Sequence, residues 1–131
     1  MSEQYNANEI MDNIESDVIE EVSAIISRHT FALFNLLKSI TASLCLVDEA
    51  DILSDSSNTR IAQARWFFWL SYRRATNATY EEIVELSFYE GHKPHKHSII
   101  NRVNYMARMI NKEIVWKRRW NIMKQIINEI K

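Results

Sequence analysis

Apolar positions recur with a helical period along almost the whole chain. Ile10, Ile14, Val18, Val22 and Ile25 or Ile26 fall at a spacing near four with acidic residues between them, which predicts an amphipathic helix over about residues 8–27. Phe31, Phe34, Leu37, Ile40 and Leu44 form a second stripe, predicting a helix over 30–47. Arg28-His29-Thr30 is either a break between the two or a continuous crossing. Residues 48–53 add a short helical turn, and Ser54-Asp55-Ser56-Ser57-Asn58-Thr59 is polar, rich in capping residues and loop-like. From Arg60 to Arg74 the chain is apolar around most of a helical circumference, as a helix at a domain centre would be. Thr79 and Glu82 stand at capping-box spacing before a short helix over 80–89, whose inner side is Ile83, Leu86 and Phe88. Ile99, Ile100, Val103, Ala107 and Ile110 then carry a helix over 97–110. Ile114, Val115, Ile122, Met123, Ile126, Ile127 and Ile130 carry a last one, with no breaker to fix the junction near Asn111. The expectation is an all-α fold, a compact bundle of about six helices with an acidic amphipathic N-terminal helical extension over 1–39 and a domain over 40–131.

Composition narrows this picture. The chain of 131 residues is 47% hydrophobic, enough for a core, and holds one glycine and one proline, three apart in Glu90-Gly91-His92-Lys93-Pro94-His95-Lys96-His97-Ser98. Three of the four histidines lie in that segment, so the one breaker-marked turn is where function is expected. No apolar run approaches a bilayer span, and the N-terminal residues lack the basic start and apolar core of a signal peptide, so the expected location is cytoplasmic, with no membrane partner. Cys45 is the only cysteine; it excludes an intramolecular disulfide and a cysteine-based zinc site, and reads as a small core residue.

The near-neutral total conceals opposite halves. Residues 1–57 hold two basic side chains against eleven acidic ones, a net of −9, whereas residues 58–131 hold fourteen against six, a net of +8. A basic half with four tryptophans invites a nucleic-acid reading; solvated helix faces whose signs segregate are the plainer one.

A short helix, a turn, then a longer helix that begins with polar and basic residues has the layout of a helix-turn-helix, here with helices at about 80–89 and 97–110. Ala50-Asp51-Ile52-Leu53-Ser54, Arg60-Ile61-Ala62 with Arg65, Thr76-Asn77-Ala78-Thr79-Tyr80-Glu81-Glu82-Ile83 and Lys96-His97-Ser98-Ile99-Ile100 follow one another in an order and spacing that resembles the C-terminal DNA-binding domain of the bacterial replication initiator DnaA. The resemblance covers about residues 40–131 and implies a Trp-repressor-like helix-turn-helix that binds duplex DNA, with a role in replication or transcription regulation, as in a phage, plasmid or other mobile element. It assigns base contact to Lys96, His97, Ser98 and Ile99, to which Asn101 is added, and phosphate contact to Arg73. Arg74, Lys93 and Arg102 are expected to meet phosphates as well. Imidazole and hydroxyl groups hydrogen-bond base edges, and an apolar side chain meets a thymine methyl.

The chain departs from the family pattern in three places. The family's arginine-bearing loop is matched by Asp55-Ser56-Ser57-Asn58-Thr59, without a positive charge, so its minor-groove contact is not expected. Lys96 stands where the family has aspartate, and residues 90–95 are longer than its turn. With a single glycine the chain has no Gly-rich phosphate loop, hence no nucleotide is expected.

Rival readings accompany these assignments. His92, His95 and His97 with Glu90 have a spacing that a zinc ion tolerates, against groove contact or plain surface histidines; no metal or other cofactor is expected. Lys117-Arg118-Arg119 between Trp116 and Trp120 resembles a single-strand-binding patch, but the helical spacing favours the tryptophans, like Trp66 and Trp69, as packing residues. No catalytic constellation is found, so no enzyme is expected. The acidic segment 8–27 is a homodimer or protein-partner surface, or a cover for the basic face. The alternative to DNA binding is a protein-interaction module acting through that segment.

Overall fold

The computed structural model describes residues 2–88 and 94–130, and side chains within 15–22, 31–87 and 94–130. Among them are six helices and no strand: α1 Ser2–Cys45, α2 Glu49–Ile52, α3 Thr59–Thr76, α4 Tyr80–Phe88, α5 Lys96–Lys112 and α6 Ile114–Ile130. The all-α expectation holds, and none of the described helices is long and apolar enough to cross a membrane. Residues 28–30 are a continuous crossing, because nothing in them interrupts the backbone ladder of α1.

The chain divides into two compact units, Met1–Asn35 and Leu36–Lys131. In the first, Val18, Ile19 and Val22 are exposed, and the rings of Phe31 and Phe34 stack at 6.3 Å. In the second, Leu37, Ile52, Phe67, Phe68, Ile83, Ile99, Met106 and Met123 are fully buried. The helix α3 contributes most to this core, and α2 and α5 pack on it, with α4 and α6 on α5.

Helix ends are made without glycine. The α1 C-terminus closes as a Schellman turn, with the Val47 N–H donating to the Ala42 carbonyl at 3.1 Å and Leu46 in the left-handed region at φ 58°. Asn58 caps α3, its side-chain oxygen accepting from the N–H groups of Arg60 at 3.1 Å and Ile61 at 3.4 Å. The segment Thr76-Asn77-Ala78-Thr79 is a corner in which each residue has a mechanical task. Asn77 ends α3 in the left-handed region at φ 56°; Thr76 Oγ1 donates to the Tyr72 carbonyl at 2.7 Å and accepts from the Ala78 N–H at 3.2 Å. Ala78 is buried, and Thr79 Oγ1 accepts from the Glu82 N–H at 3.1 Å, capping α4 as expected.

Two stripes differ from expectation. Among the described side chains of α4 the buried ones are Ile83, Val84 and Ser87, with Leu86 half-buried, while the Phe88 side chain lies outside them; Trp69 Nε1 donates to Ser87 Oγ at 3.3 Å on this inner face. In α6 the inward residues are Trp116, Met123 and Ile127, while Ile114, Val115, Ile122 and Ile130 are exposed. The tryptophans decide this rotation: Trp116 and Trp120 lie 5.5 and 5.9 Å from the Phe67 ring, so α6 turns its aromatic side to α3. The α5–α6 junction is Glu113, one extended residue at φ −111°, ψ 127°. Its N–H still donates to the Met109 carbonyl and its carbonyl accepts from Lys117, so one residue redirects the chain with both backbone groups bonded.

Candidate nucleic-acid interface

From Lys96 to Lys112, α5 carries no acidic residue. Ile99, Val103, Met106, Met109 and Ile110 turn inward at helical spacing, which sets the opposite face in solvent. On that face Ser98, Asn101, Arg102, Tyr105 and Arg108 are exposed, with Lys96 and His97 in the first turn.

Arg102 lies with its guanidinium carbon 4.6 Å from the Trp66 ring centroid. Trp66 meets Tyr105 edge to face at 5.6 Å, and Arg108 stands 5.9 Å over Tyr105. Cation, ring, ring and cation therefore alternate in a strip that joins α5 to α3. Trp66 is half-buried and Tyr105 42% exposed, so the strip is accessible.

Beside it runs a groove of about 550 Å³, bounded by Asp55, Ser56, Ser57 and Thr59, by Arg65, Trp66 and Trp69 of α3, and by Pro94, His95, Ser98 and Arg102. Its wall of residues 55–59 is held by Arg65, whose Nε donates to the Ile52 carbonyl at 2.8 Å and whose Nη2 donates to the Ser56 carbonyl at 3.1 Å. Burial lowers the Arg65 pKa from its usual value and the Asp55 charge opposes this. Arg60 donates to the Leu46 carbonyl at 3.1 Å. Arg60 and Arg65, the two arginines of the stretch Arg60-Ile61-Ala62 with Arg65, thus both bond backbone carbonyls of the fold.

The remaining assigned residues fall into distinct settings. Ile99 is fully buried, which corrects its assignment to a base edge: its side chain anchors α5 in the core and has no path to a thymine methyl. Lys96 is exposed and forms an ion pair with Glu81, whose own carboxyl is held below the usual carboxylate range chiefly by that hydrogen bond. His97, Ser98 and Asn101 are exposed. Arg73 donates from Nη1 to the Ala78 carbonyl at 3.2 Å and lies 4.0 Å over the Tyr80 ring, so it braces the α3–α4 corner. Arg74 is exposed in the last turn of α3. Lys93, Glu90 and His92 lie outside the described residues, among which no cluster of three histidine, cysteine or acidic side chains is placed to hold a metal. His95 is exposed and precedes α5 as its N-cap residue.

Sequence reasoning missed Tyr105 and Arg108 and treated Trp66 as packing alone. The signal was present: 102, 105 and 108 are spaced by three along a helix whose inner face was already defined by Ile99 and Val103. Arg119, 4.7 Å over the Trp116 ring, is likewise tied to the core aromatic cluster. No protein-family model, no curated protein and no solved structure matches this chain.

Proposed function

We propose that the chain binds duplex DNA as a DnaA-like helix-turn-helix, with α5 as the recognition helix. The observation that carries this reading is the solvent face of α5, which offers polar and basic side chains along its length and no carboxylate. His97, Ser98 and Asn101 supply donors and acceptors for base edges. Arg102 and Arg74 supply charge for phosphates, joined by Lys96 once it leaves Glu81, and by Lys93, three residues before it in the sequence. Trp66 holds the Arg102 guanidinium in place, which lowers the entropy lost when it meets a phosphate. A regulatory role in replication or transcription follows from the family resemblance.

A protein-binding face is the second reading. Glu81, Glu82 and Glu85 are exposed on α4, and the Glu81–Lys96 pair reduces the positive potential at the start of α5.

The test is a titration of labelled duplex DNA at several salt concentrations, with an Asn101→Ala, Arg102→Ala variant alongside. Four to six phosphate contacts give a log–log salt slope of roughly −4 to −5. Binding with that slope, weakened in the variant, supports the DNA reading. Absence of binding at low salt overturns it and leaves the protein-binding face; unchanged binding by the variant rejects α5 as the contact helix.

A further inference from the structure

We infer that the cation–ring strip of α5 and α3, with the groove beside it, holds a single strand of DNA whose bases are unstacked from one another. The inference rests on the reading that this face of α5 meets nucleic acid, and names the state of the strand that the face takes. Trp66 and Tyr105 meet at 90°, their ring centroids 5.6 Å apart. Neighbouring bases of a duplex lie parallel, so two rings at right angles cannot both stack on them. A single strand turns between successive bases and lays one on each ring, a contact open to every base because each has a π-face.

The cations favour a strand over a free nucleotide. Arg102 lies over Trp66 and Arg108 over Tyr105, so each ring is paired with a guanidinium whose plane also stacks a base. Six residues separate the two arginines, about 9 Å along the axis of α5, whereas the phosphates of a stacked strand follow one another at about 3.4 Å. A mononucleotide has phosphate for only one of these cations; a strand of several nucleotides supplies both.

The groove gives one base of that strand a place to enter. Its volume of about 550 Å³ is that of a small-molecule site, and Trp66 and Trp69 both line it. Asp55, exposed, is the one carboxylate in the lining and comes from the loop before α3, whereas Arg102 comes from α5. A strand whose phosphate meets Arg102 therefore turns its base towards an acceptor. A carboxylate accepts from the exocyclic amino group of cytosine, where thymine presents a carbonyl oxygen. Between these two bases of similar size, the groove favours cytosine.

Fluorescence anisotropy of the full chain with labelled strands of about 15 deoxycytidines or thymidines, and with a duplex of equal length, is the test. At low salt the cytosine strand is expected to bind about 3- to 10-fold tighter than the thymine strand, and Asp55→Asn to erase that preference. Tyr105→Ala is expected to lower strand affinity about 5- to 100-fold, and by more than it lowers duplex affinity, while Tyr105→Phe keeps it. Arg108→Ala is expected to make the salt slope on the strand shallower by about 0.7. Circular dichroism checks that each variant keeps its helix content. No strand binding at low salt, equal loss of strand and duplex affinity in Tyr105→Ala, or deoxycytidine monophosphate competing mole for mole with the cytosine strand would overturn the inference. A cytosine preference that is missing in the wild type, or that survives Asp55→Asn, overturns the role of the groove. Duplex binding without strand binding leaves the duplex reading standing alone, and strand binding without duplex binding supports the inference and removes the duplex reading.

Discussion

Arg102 and Trp66 join α5 to α3 through a cation–ring contact, the guanidinium carbon 4.6 Å from the ring centroid. An exposed contact of this kind contributes about 0.5–1 kcal/mol to stability. Its larger consequence is positional, since the indole fixes a guanidinium on an otherwise solvated helix face. Arg102→Ala is expected to weaken duplex binding about 5- to 30-fold and to make the salt slope shallower by about one, as for loss of one phosphate contact. Arg102→Lys keeps the charge but not the planar stacking and is expected to fall between the two. Fluorescence anisotropy at three salt concentrations measures both quantities; equal affinities for all three proteins would remove Arg102 from the interface.

Glu81 restrains Lys96. Both side chains are exposed, so the ion pair contributes little to folding, yet it occupies the first ammonium of α5. Glu81→Gln releases that ammonium and removes a negative charge from the α4 surface. The expected outcome is tighter duplex binding, by a factor of about 3 to 10, with a salt slope steeper by about one. Acidification acts in the same direction. The Glu81 pKa is depressed in the folded chain, so whatever stability the pair adds is present above the ordinary carboxylate pKa and is lost as pH falls through the depressed value. Binding by the wild type should therefore approach that of Glu81→Gln at low pH; a gap that stays constant with pH would disconnect Glu81 from Lys96.

The helical period in the sequence was enough to place all the described helices, because a chain with one glycine and one proline has few ways to stop. Rotation was less legible. Ile114, Val115 and Ile122 satisfy an apolar stripe as well as Trp116, Met123 and Ile127 do; only the packing of two indoles on Phe67 selects the second set. At the candidate site, Ile99 carried two incompatible expectations, core and base contact, and periodicity with Val103 and Met106 was the better guide. Arg73, assigned to phosphate by resemblance, also bonds the Ala78 carbonyl and covers the Tyr80 ring. A guanidinium beside a helix end can bond a carbonyl and cover a ring, and the sequence does not distinguish that from a solvent-facing cation.

Leu46 holds a conformation that favours glycine. At φ 58° its Cβ crowds the backbone, and at 71% exposure its side chain returns little packing. Leu46→Gly relieves the left-handed strain, retains the Val47–Ala42 bond and the Arg60 contact to the residue's carbonyl, and gives up some unfolded-state stiffness. The net expectation is a gain of about 0.5–1 kcal/mol, a rise in Tm of several degrees for a unit of this size, with duplex binding unchanged. Leu46→Asn should recover part of that gain, and Leu46→Val should lose stability, since β-branching worsens the left-handed fit. Urea denaturation of the three variants provides the comparison. A glycine variant less stable than the wild type would show that Leu46 makes a contact worth more than its strain.

Cys45 makes alkaline stability a probe of how well the α1 end is packed. Its side chain is 3% exposed, and burial pushes the thiol up to about 11, with the nearby Arg119 charge pulling the other way. In the unfolded chain the thiol ionises near 9, so between these two values the unfolded state sheds a proton that the folded state keeps. The contribution to stability is complete below pH 9 and is lost as pH rises through about 11, an amount on the order of 2–3 kcal/mol. Denaturant midpoints of the wild type should therefore fall over that window more steeply than those of Cys45→Ala, whose stability is lower at neutral pH because of the cavity but lacks this term. Native Cys45 should also react with thiol reagents only as fast as the chain opens, and the rate should rise with denaturant. Parallel pH profiles for the two proteins, or rapid labelling under native conditions, would place the thiol in solvent and contradict its burial at the end of α1.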